Sequence, residues 1–138
     1  HAPLDPLPFA SIYGITKAGP EKYAFSLSME TDLLGIPVSI IRPGAVKTGL
    51  LNVSTDALDR FVENTKLYKC NASRFKGIVD SVESKNIPAE VIGETVLKAL
   101  TDKVPQFVYN VNRNPLLRIL NSLPQRVQVA VIGLILKS

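Results

Sequence analysis

The stretch from residue 12 to residue 44 constrains the fold of this 138-residue chain most strongly. Residues 12–34 predict a long helix, because large apolar side chains recur there at a spacing of four. Gly35 directly follows and predicts the end of that helix. Residues 37–41 are β-branched and almost continuously apolar, which is typical of a strand buried on both faces of a parallel sheet. Helix, tight turn and buried strand in this order predict one half of a βαβ unit.

A proline interrupts the helical pattern. Pro20 cannot donate a backbone hydrogen bond, and its ring clashes with the carbonyl of Thr16 in a regular helix. We therefore expect a kink or a break at this point, with Tyr13 and Lys17 on the short N-terminal piece. Ser11 precedes the pattern and is predicted to be the N-cap.

Regular patterns also occur in the rest of the chain. The further elements that they predict are, in order, helices at 55–67 and 74–82, a helix at 88–101, a strand at 106–111, and helices at 115–123 and 124–136. These elements predict an α/β fold with C-terminal helices.

Composition excludes several classes of function. The net charge of +4 is modest, and no dense Lys/Arg run is interleaved with aromatic residues, so we do not predict nucleic-acid binding. Cys70 is the single cysteine, which excludes an internal disulfide framework and a multi-cysteine zinc site. With one histidine in addition, we predict no metal site.

Tyr13 and Lys17 are the first candidates for chemistry. Residues four apart on a helix lie on the same face, so both polar ends can reach one point in a cleft. A nearby ammonium favours the ionised form of a phenol, and such a tyrosine can exchange a proton with a hydroxyl or carbonyl group. The lysine also has donors for ribose hydroxyls. A tyrosine and a lysine at this spacing are also a common accident on helices.

The loop at residues 43–48 is the second candidate. It follows the predicted buried strand directly, and ligands of doubly wound folds bind outside the carboxyl ends of strands. Pro43 and Gly44 allow a sharp turn and a close approach of the backbone to a ligand. Backbone groups around Val46 and the hydroxyl of Thr48 could bind an amide or a phosphate. Alone, the same turn is also compatible with an ordinary loop.

Taken together, the order and spacing of these residues resemble the short-chain dehydrogenase/reductase family. The resemblance is carried by Tyr13-x-x-x-Lys17, then Gly35-Ile36-x-Val38, then Ile41-Arg42-Pro43-Gly44-x-Val46-x-Thr48. It implies that Tyr13 is the catalytic acid/base and that Lys17 binds the nicotinamide ribose and favours the ionised tyrosine. It also implies that Pro43, Gly44, Val46 and Thr48 lie against the cofactor, which is NAD or NADP.

The chain departs from that family in two respects. It has no glycine-rich phosphate loop, and the family's catalytic serine would fall at or before His1. It also does not begin with methionine. We therefore expect the C-terminal half of a longer enzyme, with the cofactor bound only in the full-length protein.

The resemblance, which is carried by residues 13–48, further implies the C-terminal part of a Rossmann-like doubly wound parallel sheet. It implies a single partial domain over residues 1–138 with four parts: 1–48 with the site helix, strand and loop, 49–87 as an insertion over the substrate, 88–111 as helix and last strand, and 112–138 as a helical tail.

The resemblance implies an oxidoreductase that interconverts an alcohol and a ketone or aldehyde. The tail loosely resembles members that act on lipophilic alcohols, such as hydroxysteroid or retinol dehydrogenases. The alternative is a catalytically incomplete fragment that serves as an oligomerisation or binding module. We expect a homo-oligomer, a cytoplasmic location, and a weak membrane-surface contact through the tail as one option. The apolar run at 127–136 fits a core helix, a subunit contact or an interfacial anchor.

Overall fold

Helices make up most of the described chain. The computed structural model describes residues 7–137, and for residues 49–55 it describes the backbone alone. The elements of these residues are α1 (Ser11–Asp32), β1 (Ile40–Pro43), α2 (Gly49–Asn64), α3 (Lys69–Glu83), α4 (Glu90–Thr101), β2 (Val108–Val111), α5 (Pro115–Ser122) and α6 (Gln125–Lys137). Three prolines in the first eight residues predict an irregular lead-in, and most of it lies outside the described residues.

The predicted doubly wound sheet is wrong. β1 and β2 pair in parallel, with Ile40 opposite Val108 and Ile41 opposite Tyr109, and this sheet has two strands in the described residues. A Rossmann-like fold requires several parallel strands with helices on both faces. Two segments of this chain have the β-branched run of a strand, while the remainder has helical periodicity, so the described residues are mainly helical and contain one pair of strands.

The first helix continues through its proline. α1 extends over 22 residues with Pro20 inside, so of the predicted kink or break, the break is wrong. Ser11 is the first helical residue rather than the N-cap, and Ala10 precedes it without a side-chain capping bond. The predicted stop at Gly35 is confirmed. Gly35 has a positive φ of 68°, and the N–H of Ile36 donates to the carbonyl of Thr31 at 3.0 Å, as in a Schellman motif.

Two side-chain contacts attach α1 to the strand pair. Glu21 is buried, and its carboxylate accepts two hydrogen bonds from Arg42 of β1, from Nε at 2.8 Å and from Nη2 at 2.5 Å. Farther along the helix, the ring of Phe25 meets the ring of Phe107 edge to face, with centroids 5.8 Å apart. An ionic contact and an aromatic contact on successive turns fix the rotation of α1 about its own axis.

The chain divides into two compact units. The first contains residues up to Gly44 together with Ala89–Arg113, and thus α1, β1, α4 and β2. Helix α4 packs on both strands. Tyr109 of β2 is the buried hydrophobic residue of this unit, at 6% exposure.

The second unit contains Ala45–Pro88 and the residues from Asn114 onward. Helix α3 is central, because it packs against both α2 and α6. Its core is formed by Ala72 and Phe75 of α3 with Leu136 of α6. The side chain of Asn71 also donates to the carbonyl of Leu136 at 2.7 Å. The predicted insertion and the predicted tail therefore pack together.

Helices α2 and α3 of the second unit are longer than predicted. Helix α2 begins at Gly49 after Thr48, so Ser54 and Thr55 are not its cap. Helix α3 begins at Lys69, five residues before the predicted start at residue 74. The first turn of α3 is mostly polar and lacks the apolar repeat on which the prediction depended. At α5 the side chain of Asn114 accepts from the N–H of Leu116 at 2.9 Å and forms a regular N-cap.

A buried tyrosine hydroxyl fixes the connection between α4 and β2. The hydroxyl of Tyr109 donates to Oδ2 of Asp102 at 2.9 Å and accepts from the N–H of Gln106 at 3.0 Å. Burial raises the pKa of Tyr109 above its ordinary value of about 10, and the Asp102 carboxylate acts in the same direction. The folded structure therefore requires the protonated form of this hydroxyl, which donates to Asp102.

This hydroxyl predicts a loss of stability in alkali. Because the pKa of Tyr109 is higher in the folded state, its hydroxyl contributes to the free energy of unfolding, and this contribution is fully present below the unfolded pKa of about 10. The contribution is lost as the pH rises through the pKa of Tyr109 in the folded state. Urea unfolding at a series of pH values from 8 upward should show a decline that Tyr109→Phe reduces, since the variant has nothing to ionise there. An identical decline in the variant would contradict this assignment.

Candidate functional site

Tyr13 and Lys17 lie one turn apart on α1, and their side chains meet. The ammonium nitrogen of Lys17 is 5.5 Å from the centroid of the Tyr13 ring, which is a cation–π contact. Tyr13 is 55% exposed, and Lys17 is also exposed. The helix positions the pair, because side chains at i and i+4 are stacked on one face. The predicted proximity of these two side chains is thus confirmed.

Both polar ends are available to a ligand. Within residues 7–137, no carboxylate forms a salt bridge with Lys17. Next to the pair, the hydroxyl of Thr16 donates to the backbone carbonyl of Tyr13 at 2.7 Å, so it is used inside the helix. The three ammonium donors of Lys17 and the phenolic hydroxyl of Tyr13 therefore face solvent as an adjacent donor and donor/acceptor.

The structure explains why residue 44 is a glycine, which the sequence alone did not show. The N–H of Gly44 donates to the carbonyl of Val111 at 2.7 Å and extends the pairing of β1 with β2. A Cβ at this position would clash with the backbone carbonyl of Asn112, which has a positive φ of 52°. The glycine is therefore required for close approach to the neighbouring strand end, and this contact needs no ligand. Pro43, the last residue of β1, is exposed.

Val46 and Thr48 belong to the second unit. Val46 forms a parallel bridge with Ile87, and the N–H of Lys47 donates to the carbonyl of Ile87 at 2.8 Å. Thr48 is the exposed N-cap residue of α2, and its side chain makes no capping bond. The candidate loop is thus divided: Pro43 and Gly44 complete the strand pair, while Val46 and Thr48 lead into the helical unit.

Glu21 and Arg42 are the residues beside this site that the sequence analysis did not single out. Glu21 lies one turn after Lys17 on α1, and Arg42 lies directly before Pro43. Their ion pair therefore connects the helix of the Tyr/Lys pair to the strand that carries the Pro-Gly turn. The arginine itself could have predicted this ion pair, because a charged residue next to a buried apolar run needs a partner of opposite charge.

The site offers hydrogen-bonding groups for oxygen atoms of a ligand. The Lys17 ammonium can donate to hydroxyl oxygens, and the Tyr13 hydroxyl beside it can donate to or accept from a hydroxyl or carbonyl group. In the described part of the chain, no group of three His, Cys, Asp or Glu side chains could hold a metal ion.

Comparison with known proteins adds nothing to this assignment. The resemblance described above depends on the motif residues themselves, of which Tyr13 and Lys17 are adjacent in space. No protein-family model matches this chain, and no curated protein sequence matches it.

Proposed function

We propose that these residues supply the nicotinamide side of an oxidoreductase that interconverts an alcohol and a ketone or aldehyde with NAD or NADP. The observation that carries the proposal is the contact between Lys17 and Tyr13, with the ammonium 5.5 Å from the ring centroid. A phenol and an ammonium on successive turns of an exposed helix face form a compact proton-transfer pair. The resemblance of residues 13–48 to the short-chain dehydrogenase/reductase family supports the same function.

Tyr13 and Lys17 have different roles in the proposed reaction. A bound nicotinamide would supply or accept the hydride at the substrate carbon, and Lys17 would hold its ribose. Tyr13 donates a proton to the substrate oxygen during reduction and accepts it during oxidation. Lys17 stabilises the phenolate that remains after donation and holds ribose hydroxyls with its other donors. Because Tyr13 is 55% exposed, solvent can return the proton to it.

The proposal includes a lipophilic substrate, a secondary or primary alcohol or its carbonyl form on an apolar framework. Its support is the loose resemblance of the tail to family members that act on such alcohols. Ile12 and Ile15 are 74% and 68% exposed, but they lie on other faces of α1 than Tyr13 and do not add to this support.

The experiment is a cofactor-linked assay on the natural polypeptide that carries these residues. Oxidation of NADH and NADPH would be followed at neutral pH with a series of ketones and aldehydes of increasing apolar size. We expect turnover with one of the two cofactors and a preference for the larger apolar substrates. Failure to turn over any alcohol or carbonyl compound with either cofactor would remove the proposal.

One observation favours a different class, a binding or oligomerisation module. On α1, Phe25, Met29 and Leu33 recur at a spacing of four and are 50%, 55% and 86% exposed. Such a stripe is a suitable surface for contact with another chain. Equilibrium sedimentation of Met29→Glu, with Glu30→Gln as a control on the same helix, separates the two cases. A loss of association without any detectable turnover in the parent would favour the module.

The cofactor proposal predicts weak binding by the 138 residues on their own. In dinucleotide-binding folds the pyrophosphate is held by a glycine-rich turn at a helix N-terminus, and this sequence has no such turn. What remains is Tyr13, Lys17 and the loop at residues 43–48. Calorimetric titration with NADH and NADPH should therefore show no saturable binding up to millimolar concentrations. Micromolar dissociation constants for the monomeric chain would show that the site has been misplaced.

A further inference from the structure

The α5–α6 hairpin, defined here as residues 115–137, has a distinctive charge distribution. From Lys103 to the end of the chain, the sequence has no aspartate or glutamate. The cations of the hairpin are Arg118, Arg126 and Lys137, and all three are exposed. The acidic residues of the same unit lie on α2 and α3 instead, at Asp56, Asp59, Glu63, Asp80 and Glu83. The hairpin is therefore the purely cationic part of the second unit.

Helix α6 has an inner row of buried or half-buried side chains and an outer row of exposed side chains. Gln128, Ile132 and Leu136 recur at a spacing of four and are half-buried or buried, which places them on the side packed against α3. The outer stripe is also regular, and all of its members are exposed: Arg126, Ala130, Leu134 and Lys137. An apolar centre with a cation at each end of the helix is typical of helices that lie in a membrane interface.

Helix α5 continues this character. Leu116 and Ile119 are 72% and 62% exposed, and Arg118 lies between them. Leu117 and Leu120 of the same helix are half-buried. Packing of α5 against α6 joins the two helices into one hairpin. Each helix thus exposes apolar side chains together with at least one cation.

We propose that the α5–α6 hairpin docks onto a membrane surface that contains anionic lipids. The positive charge of the hairpin favours a lipid surface over a second copy of the chain. A second copy of the hairpin would bring like charges together, whereas anionic headgroups are complementary to three cations without neighbouring acids on these helices. In the described residues, no helix is long and apolar enough to cross a membrane. The short helices would lie in the plane of the interface, with apolar side chains at the acyl boundary.

Vesicle sedimentation tests the charge dependence. The chain would be sedimented with vesicles of phosphatidylcholine alone and of phosphatidylcholine mixed with phosphatidylserine. We expect binding to the mixed vesicles at low salt. Each cation near an anionic surface contributes roughly a fivefold change in affinity, so Arg118→Gln, Arg126→Gln and Lys137→Gln together should weaken binding roughly 100-fold.

A matched control separates a local surface from total charge. The variant Lys22→Gln, Lys98→Gln and Lys103→Gln removes the same charge from exposed positions of the first unit. It should bind the mixed vesicles as the parent does. Equal weakening in both triple variants would overturn the proposal, because the attraction would then be a property of net charge. Absence of binding to the mixed vesicles by the parent chain would also overturn it.

A fluorescent reporter tests insertion of the apolar side chains. The sequence has no tryptophan, so Ile119→Trp gives a single emitter on α5. Leu97→Trp on α4 is its control, because both native side chains are 62% exposed. Mixed vesicles should shift the emission of Ile119→Trp to shorter wavelength and leave that of Leu97→Trp unchanged. A shift in both variants or in neither, or a shift of Ile119→Trp that depends on protein concentration without vesicles, would overturn docking on lipid.

Discussion

Replacing Tyr13 by phenylalanine should remove nearly all turnover of the natural polypeptide and leave cofactor binding largely intact. Only the phenolic hydroxyl is lost, and a positioned acid/base contributes roughly 10²–10⁴-fold to the rate of such a step. The side chain is 55% exposed and its hydroxyl serves no packing role, so the fold should be unchanged. Steady-state rates with NADH and NADPH, together with cofactor titrations of the same preparations, measure both effects.

Two variants of the same helix serve as comparisons. Tyr23→Phe removes an equivalent hydroxyl from a tyrosine that is 68% exposed, and it should retain full activity. Lys17→Ala should lower the rate and also weaken cofactor binding, because the ammonium has both roles in the proposal. A Tyr13→Phe enzyme with near-normal turnover would refute the assignment of Tyr13 as the proton donor. Equal losses in Tyr13→Phe and Tyr23→Phe would point to a change in the helix instead.

Local patterns predicted most elements of this chain, and they failed to predict how the elements combine. The β-branched runs gave two strands, which pair in parallel at Ile40 and Val108. The inference from two such strands to a doubly wound sheet was wrong, because it added strands for which these residues provide no sequence. Periodicity reports which face of an element is apolar, but it does not report which element covers that face.

The packing of the tail shows the same limit. The pattern at residues 127–136 was compatible with a core helix, a contact or an anchor. Leu136 is in fact buried against α3, whereas Leu134 and Lys137 are exposed. One helix thus has both a core face and an exposed face. Assignment of either role required the position of α3, which lies more than fifty residues earlier in the sequence.

At the candidate site, the sequence predicted that Tyr13 and Lys17 lie close together, but it did not predict the contact of Gly44 with Asn112. The spacing of Tyr13 and Lys17 determines their proximity, because a helix has a fixed period. The role of Gly44 depends on Asn112, which is remote in sequence and comes close only when β1 and β2 pair. A glycine after a strand therefore indicates close approach without identifying whether a ligand or the protein's own backbone approaches.

The continuity of α1 through Pro20 leads to the second large expected effect. A proline inside a helix costs about 3 kcal/mol, since a hydrogen bond is lost and the ring crowds the preceding turn. Glu21, the next residue, is fixed to Arg42 by two hydrogen bonds. This bidentate contact holds the helix against β1 at the position where its own hydrogen bonding is weakest, and it offsets part of that cost.

Glu21→Gln should therefore destabilise the chain by about 2–3 kcal/mol, because it leaves the partly buried Arg42 guanidinium without a balancing charge. Glu30→Gln on the same helix, whose carboxylate is exposed, should change the free energy of unfolding by less than about 0.5 kcal/mol. Urea unfolding followed by circular dichroism measures both. Because a charge that has lost its partner costs more than the absence of both, Glu21→Gln with Arg42→Met should be more stable than Glu21→Gln alone. If the double variant is instead less stable by the sum of both single effects, the two side chains act independently, and the pair does not hold α1 in place.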